Sequence, residues 1–470
     1  MLLFSIAKFK INQIIEKDEN LQVNNYDLSI LSSSIGLSDV AIKDYSFLSD
    51  SSHIQEITIE RVSLYKLLFK KKLKIKSIKL TNADLHLKVP EKSDSTNKKP
   101  FVFLFEYIEM DSVNLEIELK KSSLDISNIT GNLSNISDQT IANNDLDIFE
   151  IETDAFKFIP NSGSHDIITD KLKLNNKSID LEKVEISPKC GIDQWTTCFL
   201  NKKGRVTYAV NTLSGDFTDQ ASLEGIFLDT VDLIGGHVTL YSYEDVEPSM
   251  DPREFFMEKF DNIDIPINIP ILALKEHKVS IFLKAEAIDT IYFTDIYASI
   301  YNVVNVDSLV SQNNKIKVNT ISKFMNKSKL DVSFGFNIDD PKHAYEYTLN
   351  LDPIEFSNFN KALYYNTPIS IEDGTLNILE CQVTGDNVFS EGSCALAYKD
   401  FKIQLANDKG RERKIPTAIL NLLIKDKIPK SSQDEPKTFT GELEREPSKD
   451  FFFHLYSIIL EIIKGAVTPF

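Results

Sequence analysis

The chain has 470 residues, a formal net charge of −18 and a pI near 5.0. Hydrophobic residues make up 42% of it and charged residues 26%, a balance typical of folded proteins and not of disordered ones. A general nucleic-acid binder needs a basic surface to neutralise phosphates, so the acidic charge indicates no nucleic-acid partner. The length allows roughly two to four domain-sized units.

The N-terminal stretch MLLFSIAKFKINQII is apolar, but it is shorter than the about 20 apolar residues that a membrane-spanning helix needs. It also lacks the pattern of a cleavable signal peptide. Two interpretations stay open: a cytosolic chain, or a Met1 that lies inside or just after an N-terminal anchor. Residues 1–20 are accordingly interpreted as a residual N-terminal anchor or helix.

Alternation of apolar and polar residues is the main pattern along the chain. Val113–Leu119, Leu330–Ile338 and Val279–Leu283 place apolar side chains at every second position and polar ones between them. This period of two predicts antiparallel strands with one apolar and one solvated face. The apolar positions change parity between Tyr398 and Phe401, which predicts a bulge that bends the strand.

Helices are predicted to be few and short. Before the C-terminus they are Ser63–Phe69, Asp251–Phe260, Ser357–Tyr365 and Pro416–Ile424. In the second of these, Asp251 is the expected N-cap and Pro252 the first helical residue. Two adjacent glycines in LIGGHV, at Leu233 to Val238, predict a hairpin turn.

Changes in this pattern divide the chain into six predicted segments. They are the N-terminal 1–20, a β-unit over 21–160, a middle β region over 161–270, a further β region over 271–426, a linker over 427–449 and an amphipathic helix over 450–470. The linker prediction depends on a composition rich in Pro, Glu, Lys and Ser.

A basic stretch runs from Arg61 to Lys79 with eight basic residues and no acidic ones. One interpretation is a contact with anionic lipid headgroups. The other is the solvated face of a strand, which is the commoner reason for a run of charges.

The four cysteines fall into two close pairs. Cys381 and Cys394 flank a turn and are equally far from it, which places them opposite each other in an antiparallel hairpin. Cys190 and Cys198 bracket GIDQWTT in a similar way. Two local disulfides and an oxidising compartment are therefore expected, with free buried thiols as the alternative.

No catalytic or metal-binding motif is recognisable. The seven histidines have no spacing that presents two imidazoles to one metal ion, and there is no G-x-S-x-G elbow or glycine-rich phosphate loop. The sequence therefore predicts no enzyme activity, no metal site and no cofactor. A sheet with one apolar face must still cover it, as a filled sandwich or as a curled trough, and the sandwich is the commoner solution.

Both ends of the chain resemble the bacterial AsmA-like proteins, the superfamily that includes TamB. Residues 353–470 are similar to the C-terminal region of that family, through DPIEFSNFNKAL, ISIEDGTLNI with Gly374, the stretch from Gly392 through Tyr398 and Asp400 to Ile403, AILNLLIKDKIP with Asn421, TGELEREPSKDFF with Gly441 and Arg445, and the closing helix with Gly465. YDLSILSSSIGLSDVAI and ITIERVSLYKLLFKKKLKIKSIKLTNADLHL resemble its opening unit. The full transmembrane helix of the family is missing here.

The resemblance implies a long curled antiparallel sheet, taco-like or groove-like, in the periplasm of a Gram-negative bacterium and tethered at the inner membrane. The implied function is non-catalytic: glycerophospholipid transfer between inner and outer membrane, or support of outer-membrane assembly. Its partners would be glycerophospholipid, the inner membrane and outer-membrane or envelope proteins. Candidate lipid-lining residues, chosen by parity, are Val332, Phe334, Phe336, Leu376 and Ile378. The alternative is a periplasmic β-scaffold that carries no lipid.

The chain closes on the apolar segment DFFFHLYSIILEIIKGAVTPF. At 100° per residue, His454, Ser457, Glu461, Lys464 and Thr468 fall on one narrow polar stripe, which disfavours a membrane span. The helix is expected either to lie on the open end of the sheet with this stripe in water, or to meet a membrane or envelope partner or close the groove. Candidate docking residues are Phe452, Phe453, Tyr456, Ile459 and Ile463.

Overall fold

The computed structural model describes residues 20–29, 34–42, 52–62, 72–88, 102–119, 121–137, 147–161, 163–199, 204–218, 225–243, 251–282, 290–360, 369–405, 425–429 and 435–467. Their strands form one long, largely antiparallel sheet of 23 strands, which confirms the predicted mainly-β class. The chain divides into two compact units, Met1–Lys189 with Thr212–Glu224, and Cys190–Asn211 with Gly225–Phe470.

The first unit is built from eleven described strands. They are β1 (Leu21–Ser29), β2 (Ser34–Ile42), β3 (Ser52–Glu60), β4 (Lys72–Lys88), β5 (Val102–Leu119), β6 (Ser122–Ser137), β7 (Asp147–Thr153), β8 (Ala155–Pro160), β9 (His165–Thr169), β10 (Lys171–Asn175) and β11 (Ser178–Pro188). The pairs are antiparallel except β4 with β5, which is parallel.

The remaining strands are β12 (Gly204–Phe217), β13 (Ile226–Ile234), β14 (His237–Ser242), β15 (Ile267–Phe282), β16 (Thr290–Val304), β17 (Lys315–Phe324), β18 (Ser328–Asn337), β19 (Tyr345–Leu351), β20 (Ile354–Glu355), β21 (Ile369–Gly385), β22 (Phe389–Leu405) and β23 (Lys437–Glu444). From β15 to β19, and from β19 through β21 and β22 to β23, each strand pairs antiparallel with the next.

The two adjacent glycines do not form a hairpin, and that prediction is wrong. Strands β13 and β14 both pair in parallel with β15, so the chain keeps its direction through Gly235 and Gly236. A Cβ on Gly235 would lie 2.2 Å from the Asn211 amide nitrogen, and one on Gly236 would lie 2.1 Å from the His277 ring. Glycine is therefore required here by close packing and by the positive φ of Gly235.

Helices are short in the described part of the chain: α1 (Trp195–Cys198), α2 (Phe256–Asp261), α3 (Asp307–Val310) and α4 (Phe451–Val467), with 3₁₀ turns at Ile192–Gln194 and Phe356–Phe359. None of them is long and apolar enough to cross a membrane. The predicted helices at residues 63–69 and 416–424, the later part of the one at 357–365 and the N-terminal residues 1–19 lie outside the described residues.

Helix α2 begins later than predicted. Phe255, not Asp251, is its N-cap, and its N–H donates to the Glu258 carboxylate. The reason lies in the preceding residues, where the Arg253 N–H donates to the Pro447 carbonyl at 2.8 Å. The chain is held against another segment there and cannot yet turn into a helix.

The predicted linker over 427–449 contains a strand, which corrects that prediction. Strand β23 pairs with β22 over eight residues, and its exposed and half-buried side chains alternate. Its central sequence FTGEL alternates apolar and polar residues over only five positions and is flanked by charged residues. The charged composition of the segment therefore predicted a linker and not a strand. The terminal helix is confirmed as α4, and the Phe453 N–H donates to the Asp450 side chain at 2.9 Å as an N-cap bond.

Candidate functional site

Five buried apolar residues lie in direct register on neighbouring strands of the first unit. Val40 pairs with Ile54, Ile54 with Ala83, Ala83 with Val113, and Val113 with Ile129. Their exposed fractions are between 1% and 5%. With about 4.8 Å between strands, they form a row about 19 Å long that crosses the strands at right angles. We call this row the floor.

A residue in the left-handed conformation precedes the floor residue on four of these strands. These residues are Asp39, Asn82, Ser112 and Asn128, with φ between 49° and 60°. The apolar positions change parity at each of them: on β4, for example, Leu80 and Ala83 belong to the same cluster. Because an extra residue of this kind bends a strand, aligned bends fold the sheet along the floor. The result is a crease with the apolar face inside.

The crease continues beyond β6. There the chain breaks between β7 and β8 at Asp154 and between β9 and β10 at Asp170, and Lys183 of β11 is left-handed. Buried Thr153, Thr169 and Val184 lie beside these three points. Strand β6 pairs with β7 on one side of the break and with β8 on the other. From β2 to β11 the crease crosses seven strand spacings, about 34 Å.

Apolar walls rise on both sides of the floor. One wall follows register from Leu37 through Ile57 and Leu80 to Met110. The other includes Leu85, Leu115 and Ile126. All seven side chains are half-buried and pack against the floor. Because the floor is more buried than the walls, the apolar face is the concave one.

Polar side chains hold the outer side of the bends. The Asn82 amide donates to Gln55 at 2.7 Å, and the Asn114 amide donates to Asp84 at 2.7 Å. Asn128 donates from its backbone N–H to Asn114 at 2.9 Å and from its amide to Asp154 at 2.6 Å. The bond to Asn114 satisfies the backbone N–H of left-handed Asn128, and the other three join side chains across neighbouring strands. The crease is thus polar outside and apolar inside.

The sequence-chosen lining residues lie in the second unit, where the apolar face is filled by protein. Phe336 and Leu376 are buried, and Val332 and Phe334 pack against the same core. The Phe451 ring of α4 lies 5.7 Å from Phe336 and 6.4 Å from Phe334. These four side chains therefore form a core beneath α4.

Ile378 is on the other face of β21, so the parity that joined it to Leu376 is wrong. Leu376 pairs with Tyr398 and Leu379 pairs with Leu396, all within the core, whereas a register shift separates Leu376 from Ile378. One extra residue reverses the side of every following residue. The same strand pair contains left-handed Asp400, which confirms the bend predicted between Tyr398 and Phe401.

The solvated face of the second unit holds an open cavity of about 1130 Å³. Its central row, in direct register across six strands, consists of Asn319, Ser333, Thr348, Gln382, Ser393 and Thr440. This row gives the cavity hydroxyl and amide groups, and Lys317, Glu346, Glu391 and Glu442 add charged groups around it. In this unit the concave surface is polar and the apolar surface is covered.

Helix α4 presents three of the five predicted docking residues to solvent. Phe452, Phe453 and Tyr456 have exposed fractions of 70%, 45% and 46%. Ile459 and Ile463 are half-buried and pack against the core. Docking on a membrane or a partner remains a prediction for the three aromatic residues.

The polar stripe predicted to face water is wrong at its first member. His454 is 3% exposed and accepts or donates a 2.6 Å hydrogen bond with Ser390. Glu461 and Lys464 are exposed and paired with each other at 3.4 Å. The buried face of α4 consists of Phe451, His454, Leu455, Ile458, Ile462 and Ala466.

Two of the described lysines of the basic stretch form ion pairs. Lys79 lies 2.7 Å from Glu109, and Lys74 pairs with Glu106 on the same neighbouring strand β5. The Glu109 side chain also raises the pKa of Lys79, chiefly through this hydrogen bond. For these two lysines the interpretation as a solvated strand face is favoured. Residues 63–71 lie outside the described residues.

Both predicted disulfides are present. Cys381 pairs with Cys394 directly across β21 and β22, and both are 1% exposed. Cys190 and Cys198 close a loop around buried Trp195, and Cys198 is exposed. Two disulfides indicate an oxidising, extracytoplasmic compartment.

The two disulfides are expected to differ in reactivity and in effect. Access to a thiolate controls exchange, so mild reduction should open Cys190–Cys198 first. Removing Cys381–Cys394 with paired alanines should lower the free energy of unfolding by about 3 kcal/mol. Alkylation followed by mass spectrometry, and denaturant unfolding of the variant, measure these effects. Simultaneous labelling of all four cysteines under native conditions would contradict the first expectation.

The histidines of the described residues are not gathered into a metal site. No group of three or more His, Cys, Asp or Glu side chains there has a geometry that could hold a metal ion. A scan of the sequence against protein-family models finds no match, and a search of curated proteins finds none either.

Proposed function

We propose that this chain is a non-catalytic envelope protein whose apolar crease shields the acyl chains of glycerophospholipid. The observation that carries the proposal is the register of the floor, from Val40 to Ile129, with apolar walls on both sides. A lipid loses about 0.8 kcal/mol for each methylene it exposes to water, so a carrier needs a continuous apolar surface. The row of bends provides such a surface across many strands.

The length of the crease suits this ligand. A bilayer core is roughly 30 Å thick, so the acyl chains of one leaflet extend about 15 Å. The apolar floor, at about 19 Å, is long enough to hold an acyl chain along its axis. Its lining uses many residues of similar character, as a carrier without a single fixed binding position requires.

The disulfides and the resemblance to AsmA-like proteins support a proposal for the cellular setting. We propose that the protein lies in the periplasm of a Gram-negative bacterium, tethered at the inner membrane. There it would transfer glycerophospholipid between the inner and outer membranes or support outer-membrane assembly. Its partners would be the inner membrane and outer-membrane or envelope proteins.

A second candidate function is a periplasmic scaffold that carries no lipid. It is favoured by one observation, the second unit, where α4 covers the apolar face and the open cavity is polar. A scaffold would fill its apolar surfaces with its own side chains throughout. The two candidate functions differ in what contacts the walls of the crease: acyl chains of bound lipid in a carrier, and side chains of the protein itself in a scaffold.

Photocrosslinking separates them. The photoreactive residue p-benzoylphenylalanine is placed at Leu85, on the inner wall, or at its neighbour His86, whose ring pairs with Glu116 at 2.7 Å on the outer face. For a carrier, full-length protein irradiated in envelopes should yield phospholipid adducts at Leu85 and background levels at His86. Adducts are identified by mass spectrometry. Equal yields at both positions, or no adducts at Leu85, would favour the scaffold.

A further inference from the structure

A buried hydrogen-bonded chain of three side chains lies beneath α4. The Tyr345 hydroxyl is 2.6 Å from the Ser390 hydroxyl, which is 2.6 Å from Nε2 of His454. Their exposed fractions are 4%, 0% and 3%. A second bond from the same surface joins the Tyr347 hydroxyl to the Leu455 carbonyl at 3.1 Å. The helix is thus attached to the sheet by polar bonds inside an apolar core.

A neutral His454 can complete this chain of hydrogen bonds. Burial raises the pKa of Tyr345 to about 12, so its hydroxyl keeps its proton. With Nε2 of His454 unprotonated, Tyr345 can donate to Ser390 and Ser390 to Nε2, which uses every hydrogen of the chain. If His454 gains a proton, Nε2 can only donate, and the hydroxyl hydrogen of either Ser390 or Tyr345 is left without a partner in the chain. In a site closed to water this is costly.

The charged surroundings also oppose protonation. The Phe255 ring lies 5.8 Å from His454, and the Arg445 guanidinium lies 3.8 Å above that ring. Glu258 of α2 pairs with Arg445 at 3.7 Å. Asp450, at the start of α4, accepts from Phe453 and pairs with Arg253 at 3.7 Å.

On the sheet side, the nearest titratable group is Tyr345, which is connected to His454 through Ser390. Asp386, in the turn between β21 and β22, adds to the effect of burial in raising the pKa of Tyr345. The charged groups near the imidazole are thus Arg445, on the far side of the Phe255 ring, and carboxylates that have other partners.

We propose that Tyr345, Ser390 and His454 form an acid-sensitive latch, in which protonation of His454 releases α4 from the apolar face of the second unit. Release would uncover the core residues that Phe451 now covers, including Phe334 and Phe336. The latch concerns the second unit and does not depend on lipid carriage by the crease.

The sign of the pH dependence follows from the two states. Burial and the Arg445 cation hold the pKa of His454 below its ordinary value of 6.5 while α4 is docked. In the released state the imidazole is in water and its pKa is ordinary. The released state therefore binds more protons as the pH falls below about 6.5, and docking weakens there. Above that pH His454 is neutral in both states, and its stabilising contribution to the docking of α4 is fully present. The docking equilibrium should change by up to about tenfold per pH unit, as for one proton.

Hydrogen–deuterium exchange of full-length protein tests the latch. Rates are corrected for the intrinsic effect of pH and compared at pH 7.5 and 5.5. We expect the amides of Phe451–Val467 to lose protection at the lower pH in the natural protein. In His454→Gln, whose amide oxygen can accept from Ser390 but does not titrate, protection should be the same at both pH values. His237→Gln, a control on strand β14 of the second unit, should keep the natural pH dependence.

Two results would overturn the proposal. One is protection of α4 that does not change with pH in the natural protein, and the other is a loss of protection at pH 5.5 in His454→Gln as large as in the natural protein. If that variant does not fold, the natural protein with ¹³C-labelled histidine rings gives a second test. The His454 resonance should then titrate over the pH range in which α4 loses protection. Titration over a separate range would contradict the latch.

Discussion

Replacing Ile458 with alanine is expected to lower the free energy of unfolding of the second unit by about 2 to 5 kcal/mol. Ile458 is 0% exposed at the middle of the buried face of α4. Alanine lacks the outer carbon atoms of isoleucine, so the substitution leaves a cavity between the helix and the sheet. The surrounding core side chains are held by the sheet and cannot move far enough to fill it. Trp195 is the single tryptophan of the chain, is 1% exposed and lies in the second unit, so its fluorescence in a denaturant titration measures the loss.

Tyr456→Ala is the matched control for this substitution. It lies on the same helix and removes a larger side chain, but one that is 46% exposed. The loss of stability should be well below that of Ile458→Ala, since much of the ring is already in water. Comparable losses for the two variants would mean that α4 is not held by its buried face. Tyr456→Ala would also remove one of the three exposed aromatic residues proposed for docking, without unfolding the unit.

Replacing Ile54 with aspartate is expected to unfold the first unit, with a loss above about 4 kcal/mol. Ile54 is 4% exposed at the middle of the floor, in register with Val40 on one side and Ala83 on the other. A carboxylate there would be surrounded by apolar side chains and have no cation to pair with, which is among the largest penalties that a substitution can impose. Exchange protection of β2 to β5 measures the effect.

The control is the next residue, Gln55→Asp. Gln55 is exposed on the outer side of the bend and accepts the Asn82 amide at 2.7 Å. Aspartate adds the same charge and can still accept a hydrogen bond, so β2 to β5 should remain protected. The two variants differ by one position along the strand and therefore by the face of the sheet. Loss of protection in both would contradict an apolar interior with a polar exterior.

The alternation of apolar and polar residues predicted the strands, and changes in that alternation also predicted where strands bend. It located the bend at Asp400, and the same change of parity occurs at Asn82 between Leu80 and Ala83 and at Ser112 in β5. The individual bends were therefore readable from the sequence as changes of parity within each strand. What could not be read was their alignment, because alignment depends on register, and register depends on pairing across loops of unequal length.

Other features were decided by tertiary partners. The burial of His454 depends on Ser390, which is 64 residues away and supplies the hydrogen bond that a buried imidazole needs. Gly236 looked like part of a turn because the packing partner that requires it, His277, is on another strand. Local pattern gives the period of an element, whereas the choice of its buried face and the role of its glycines come from neighbours distant in the chain.

The bends of the crease are encoded strand by strand, and this has a consequence for insertions and deletions. Four of the five floor strands carry their own left-handed residue, such as Asn82 or Ser112, so two added strands with such residues would lengthen the crease by about 10 Å and keep its cross-section. A single-residue insertion within one strand would instead move its bend out of line with both neighbours. Length variation among related chains should therefore come in whole strands, and the length of the crease is set by the number of strands that carry a bend.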